Sequence, residues 1–320
     1  MPDKELHEIV GVIHIHSDYS DGSKSIPEIA RIGESAGLDF LMFSDHLTLA
    51  PLRDGLERYH GKIAALIGYE IEDAKNENHF LAFGLDNELP PNLKAREYVA
   101  GVKAAGGLGI IAHPDEIRSA IPKYPGYPWT DWEATGFDGI EIWNHMSAWM
   151  ELLKRINMLM LVFTPRRGLR GPTDRVLGKW DELSENSLVA AIGSADVHAH
   201  AFRKGPIKVT IFPYKVQFRS IRTHLLLTSP LSSEISEAKT QIYDAIRNCH
   251  AFVSNFKWGD ARTFRFYAQC DDKIFQMGEK VIFEDGLMII MKAPSDAHVR
   301  IIRNGKLLRA LTGCAFALPV

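Results

Sequence analysis

The chain has 320 residues, with 37 lysines and arginines against 40 aspartates and glutamates, a formal net charge of −3, and is 46% hydrophobic and 24% charged. That balance excludes disordered and fibrous classes. It also removes the broad cationic field that drives non-specific binding to phosphate backbones, so nucleic acid is admitted only as a possible local substrate. Three cysteines, Cys249, Cys270 and Cys314, form no CxxC pair and leave one thiol over, which excludes zinc-finger chemistry and suits a reducing compartment. Residues 1–8 are polar and acidic and precede a short apolar run, unlike a secretory leader. The most apolar piece, residues 158–163, is too short to span a bilayer, so no membrane partner is expected and the reading is cytoplasmic.

From Ile9 to about Phe212 one cadence repeats: a short apolar run ending in polar or charged residues, then a stretch with helical spacing. This is βα alternation. Strands are predicted at 10–15, 39–44, 64–68, 80–84, 108–112, 139–143, 188–193 and 208–211. A helix is predicted over 25–36, with Ser25 ahead of Ile26 and Pro27 and Gly37 as its stop, and another over 91–105. Residues 164–178, where Gly168, Gly171 and Pro172 stand among four arginines, read as an irregular loop. A Ser, Pro and Leu-rich stretch at 229–236 leads to a helix over 237–249, and beyond it apolar and polar residues alternate around Glu284-Asp285-Gly286 and Arg303-Asn304-Gly305 turns. The division expected is 1–228, a connector with helix at 229–252, and a small β-sandwich-like domain at 253–320.

Thirteen histidines are present, many of them at the ends of the predicted strands. In His14-Ile15-His16 the i, i+2 spacing on a strand places both imidazoles on one face. The following turn brings Asp21 back toward them, with Gly22 for a tight backbone. Asp45-His46 ends the second strand, with Asp45 either a donor itself or the group that orients an imidazole. Glu70 ends the third, and its two oxygens suit it to bridge two cations. His79 opens the next strand and His113-Pro114 closes the one after. Asn144-His145 follows Glu141-Ile142-Trp143, and Asp196-Val197-His198 repeats the i, i+2 pattern. Each alone is compatible with an ordinary core or surface residue; together they point to a metal centre of oxygen and nitrogen donors.

In order, His14-x-His16, Asp21-Gly22, Asp45-His46, Glu70, His79, His113-Pro114 and Asp196-x-His198 resemble the polymerase-and-histidinol-phosphatase (PHP) superfamily over about residues 9–215. The resemblance implies an α/β fold, a distorted (β/α)7 barrel whose site lies at the C-terminal strand ends. The small antiparallel β domain that follows is similar in pattern to the extension of the carbaryl-hydrolase branch. The resemblance further implies two or three divalent metal ions. One would be held by His14, His16, Glu70 and Asp196, a second by Asp21, His46 and His198, and a third by Glu70, His79 and His113. His145 occupies a position that ligates in some members only. Donors of this kind suit zinc, manganese or iron.

Such cations activate a shared water, polarise a phosphoryl oxygen and neutralise the leaving oxygen. The expected activity is therefore a phosphoesterase acting on a small phosphomonoester, nucleotide or oligonucleotide end. A carboxylic or carbamate ester is the alternative substrate, and a non-catalytic metal-binding module the third reading. Glu70 and His198 or His200 are the expected catalytic groups. Arg166, Arg167, Arg203 and Lys204 are the expected anion-binding groups, although exposed basic residues are as often solvated surface. Oligomeric state is not legible in the chain.

Overall fold

Strands buried on both faces read as continuous apolar runs, and runs of this kind build the main sheet. The computed structural model describes residues 6–154, 156–204 and 207–320, with the backbone alone at 201–204 and 207–209. Seven strands, His7–Ile15, Phe40–His46, Ile63–Glu72, His79–Phe83, Leu108–Ile111, Gly139–Asn144 and Ala190–Val197, pair in that order, and the last returns to the first. The result is the expected distorted (β/α)7 barrel. Its distortion has a local cause: His79–Phe83 runs antiparallel to both neighbours. Residues 73–78, which link it to the preceding strand, are fewer than the roughly ten to twelve that a parallel crossover needs.

Alternate residues of each strand face opposite sides. Ile13, Met42, Leu66, Leu81, Ile110 and Ile192 fill the barrel, in one cluster with Ile242, Tyr243 and Ile246 of the helix Ile235–Arg247. Val12, Leu41, Ala65, Ile67 and Ile140 face outward beneath helices that include Ile26–Ser35 and Ala95–Ala104. At the start of Ile26–Ser35, the Glu28 carboxylate reaches back to the Ser25 N–H at 3.1 Å, and Gly37 follows with φ 73°, as the predicted start and stop require.

Several expectations change. The strand expected at 208–211 does not join the barrel: Ile207–Thr210 pairs in a hairpin with Ala201–Lys204. Its alternating Lys208-Val209-Thr210 lacks the continuous apolar character of a barrel strand. The loop expected through 178 ends sooner, because Thr173 accepts the Val176 N–H and starts the helix Asp174–Ser184. Two further strands widen the sheet beside the first, Ile221–Leu227 antiparallel to it and Ala251–Asn255 antiparallel to that. The C-terminal part is a single four-stranded antiparallel sheet, in the order Lys273–Phe275, Arg265–Cys270, Met288–Arg303, Lys306–Pro319. Four strands in one sheet do not make two facing layers, so it is not sandwich-like. Asn304 and Gly305 turn the long hairpin with φ 52° and 70°, as a primed two-residue turn demands.

Glu8 ties the two parts together. Its carboxylate accepts from the Thr263 N–H at 2.8 Å and from Arg265 at 2.7 Å, and lies 2.8 Å from His224 Nδ1.

Candidate metal centre

The barrel's regular geometry breaks where the donor side chains begin. His14, His113 and Asp196 have φ of 66°, 27° and 52°, a left-handed region that costs energy for residues other than glycine. On the first strand this irregularity shifts the register between Ile13 and Ile15 against both neighbours. Such bulges re-aim side chains. His14 and His16 nonetheless converge, with ring centroids 5.1 Å apart.

Glu70, 1% exposed, stands at the middle. Its Oε2 lies 3.2 Å from His14 Nε2, 3.4 Å from His16 Nε2 and 3.2 Å from His46 Nδ1. Its Oε1 lies 2.7 Å from His79 Nδ1 and 3.4 Å from His113 Nε2. Asp196 Oδ1 faces His14 Nε2 at 3.6 Å, His16 Nε2 at 3.4 Å and His198 Nδ1 at 3.6 Å. Asp21 returns on the turn after the first strand, its Oδ1 lying 3.3 Å from His198 Nε2 and 3.8 Å from His46 Nε2. That turn depends on Gly22, where a Cβ would stand 2.3 Å from the His16 carbonyl oxygen.

Three sets of donor atoms result, each within 4.8 Å: His16, Asp21, His46 and His198; His14, His16 and Glu70; and Glu70, His79 and His113. A cation fits such sets on an independent ground. His16 Nδ1 and Nε2, His46 Nδ1 and His113 Nδ1 are buried without a hydrogen-bond partner among the described residues. Buried polar atoms are normally satisfied, so the orphaned nitrogens of His16 and His46, which face Asp21, Glu70 and Asp196, call for an explanation. Neutral imidazole and carboxylate donors without thiolate suit borderline and hard divalent ions.

Charge is arranged accordingly. Burial alone raises a carboxylate, but His14, His46 and His79 hold Glu70 well below its usual range. His14, His16 and His198 do the same for Asp196. Burial and the neighbouring His198 and His46 push His16 well down, leaving it neutral with a lone pair available. His14 behaves oppositely: burial opposes its charge, but Glu141, Asp196 and Glu70 raise it well above its ordinary value. His14 Nδ1 lies 2.8 Å from Glu141 Oε1, an arrangement that holds the ring and leaves Nε2 facing Glu70 and Asp196.

Residues expected in the site divide as follows. His14, His16, Asp21, His46, Glu70, His79, His113, Asp196 and His198 come together. His145 does not. The chain turns into the helix His145–Leu152 there, with Asn144 accepting the Ser147 N–H at 3.0 Å, so that His145 Nε2 lies 3.3 Å from the Pro165 carbonyl and the ring packs beside Phe212. Burial pushes it down to about 4. Asp45 pairs with no imidazole among the described residues; it accepts from the Ser17 N–H and hydroxyl and from the Ser20 hydroxyl, each at 2.7 Å, and so braces the turn that carries Asp21. His200 lines the cavity above the donors, 3.9 Å from Asp21 and stacked on His198 at 5.1 Å. Arg166 bonds the Arg219 carbonyl at 3.0 Å and Arg167 is exposed; neither lines that cavity. The side chains of Arg203 and Lys204 lie outside the described residues.

Sequence reasoning missed two contributors. Glu141, rather than Asp45, orients an imidazole, and its other oxygen accepts from the His113 N–H and the Asn144 amide, each at 2.8 Å. Arg118 lines the cavity, held by Glu116 at 2.6 Å and lying over the Tyr127 ring at 5.6 Å, with its buried Nε unpartnered among the described residues. Glu141 is marked in the sequence only as part of the strand that leads to Asn144-His145, and nothing local marks Arg118.

No family model matches the chain. An uncharacterized protein of Methanocaldococcus jannaschii is 29% identical over 148 residues, covering 41% of this chain and 80% of the relative. Among solved structures, a two-domain protein from Bacteroides vulgatus containing a predicted PHP-like metal-dependent phosphoesterase is 16% identical, covers 99% of this chain and 86% of its own, and superposes with a TM-score of 0.50. Endonuclease Q, solved with a 27-mer duplex bearing an abasic lesion at its active site, is 16% identical over 75% of this chain and 57% of its own, with a TM-score of 0.47. At these identities the likeness concerns fold. The chain has the PHP-type barrel fold, followed by a small antiparallel β domain.

Proposed function

We propose that the chain is a metal-dependent hydrolase that cleaves a small phosphomonoester at the donor cluster. One observation carries this reading: three donor sets lie together on the floor of an open cavity, two of them sharing Glu70 and two sharing His16, and both nitrogens of His16 and Nδ1 of His46 lack a hydrogen-bond partner among the described residues. His14, His16, Glu70 and Asp196 would hold one divalent cation, Asp21, His46 and His198 a second, and Glu70, His79 and His113 a third. Zinc, manganese or iron bound there supplies Lewis-acid chemistry, activating water and neutralising charge on oxygen.

The chain's own groups supply the rest. Arg118 binds the substrate anion, because it is the arginine that lines the cavity among the described residues and its guanidinium is fixed there by Glu116. His200, half exposed at the cavity rim, donates the proton to the leaving oxygen. Glu141 keeps His14 in the donating orientation. The apolar lining of the same cavity favours, as a second reading, a carboxylic or carbamate ester.

The test is a panel of phosphate, carbamate and carboxylic esters assayed with manganese- and zinc-loaded protein of measured metal content. Turnover of phosphomonoesters that drops in His200→Ala is the expected result. Protein holding two or more ions per chain that turns over no ester would overturn the proposal.

A further inference from the structure

The cavity above the donor cluster is chemically two-sided. It encloses about 460 Å3. On one side are the carboxylates and imidazoles already described, with Glu72, Asn76 and Tyr127 beside them, and the rest of the lining includes Ile121, Tyr124, Met146, Trp149, Met150 and Phe212. The wall is a fixed surface. Trp149 meets Phe212 edge to face, with centroids 4.5 Å apart and planes at 86°. The Trp149 indole N–H is committed to the Leu161 carbonyl at 3.2 Å, so the ring offers the cavity carbon rather than a donor. Met146 and Met150, one helical turn apart, pack in the same cluster with Leu153 and Leu161 behind them.

Cationic side chains are sparse in the described lining. Arg118 is the only arginine or lysine among the described residues that line the cavity, and Glu116 already engages it. One anionic group can be served at the floor and rim. Seated against Trp149, Phe212 and the two methionines, a second phosphate, or a sugar rich in hydroxyls, would face aromatic carbon and thioether with its hydrogen bonds unmade. Apolar substituents instead gain by leaving water.

We infer that the hydrolysable group of the substrate is attached to a compact apolar group, about the size of an aromatic ring on a short alkyl chain, seated between Trp149, Phe212 and the two methionines. For the bond cleaved, this rests on the hydrolase reading above; for the group recognised, it rests on the wall alone.

The experiment therefore separates recognition from turnover. With manganese-loaded protein, kcat/KM is compared for 2-phenylethyl phosphate and glycerol 3-phosphate, whose leaving groups are both primary alcohols. Binding is compared by calorimetry for benzylphosphonate against methylphosphonate and for phenylacetate against acetate. A phenyl preference of about 100-fold is expected, and it should fall in both Trp149→Ala and the milder Met150→Gln. Selective phenyl binding without turnover would support this inference while overturning the phosphoesterase reading. Equal turnover of both phosphates, or equal binding within both analogue pairs, would overturn the inference and leave hydrolysis standing.

Discussion

Glu70→Gln isolates the charge at the centre of the donor cluster. The substitution preserves shape, so the strand Ile63–Glu72 and its apolar neighbours should fold as before. It removes an anion that is 1% exposed and lies within 3.4 Å of five imidazoles. Because each oxygen belongs to a different donor set, a single change weakens two sets at once. Removing one partner of a buried charge pair costs about 3–5 kcal/mol, which at about 1.4 kcal/mol per tenfold means roughly 100- to 5,000-fold weaker binding of a cation at each affected set. Calorimetric titration of chelator-treated protein with zinc or manganese reads this directly, and circular dichroism confirms the fold. Ester turnover should disappear in parallel. A folded Glu70→Gln protein with wild-type metal content and activity would refute the placement of Glu70 between cations.

Other perturbations probe the supports. Glu141→Gln should weaken cation binding by about 10- to 100-fold, since the His14 ring loses the partner that orients it; titration with zinc checks it, and unchanged affinity would deny Glu141 that role. Arg118→Met should raise KM for a phosphomonoester by about 10- to 100-fold, the equivalent of a lost charged hydrogen bond of roughly 1.5–3 kcal/mol, with kcat less affected; steady-state kinetics checks the split. Glu8 is held below its ordinary value because His224, Arg265 and the Thr263 N–H outweigh the effect of burial. A lowered carboxyl contributes stability that is full above the unfolded value near 4.5 and is lost as pH falls through the folded one. Glu8→Gln should therefore be less stable than wild type at pH 7, with the gap narrowing as pH falls below 4.5; urea unfolding across that range measures it.

Much of this was legible in the chain because barrel strands announce themselves twice, by continuous apolar runs and by the polar residues at which those runs stop. His14-x-His16 illustrates where such reading falls short of the geometry. Simple alternation puts both rings on one face, yet His14 sits at φ 66° on a register shift, and the rings meet through that bulge. The strand Ile221–Leu227 escaped notice because Arg222, Thr223 and His224 interrupt its apolar character. All three are buried: Arg222 bonds the Phe218 and Ala36 carbonyls at 2.7 and 2.8 Å and lies over the Phe256 ring. Phe218 is four residues away, but Ala36 and Phe256 are distant in sequence, so no local pattern marks the arginine as internal. Arg118 has a near partner in Glu116, but its place in the cavity follows from the path of a loop, and Asp45 pairs with Ser17 and Ser20 on a distant turn rather than with the adjacent His46.

Strain and charge at the strand ends bear on why the barrel tolerates them. His14, His113 and Asp196 combine left-handed backbone with nearly complete burial, and each such residue costs of order 1–3 kcal/mol. Nothing in the apolar packing requires these conformations: one residue before His14, Ile13 packs regularly inside the barrel. What the conformations achieve is convergence, since each re-aims a donor toward Glu70 or its neighbours. A chain under selection for stability alone would replace such a cluster with well-packed apolar side chains, which is often neutral or stabilising. The cost is borne at the strand ends and offset by the regular core beneath them, the distribution expected when a rigid scaffold holds a group that only a bound ion can satisfy.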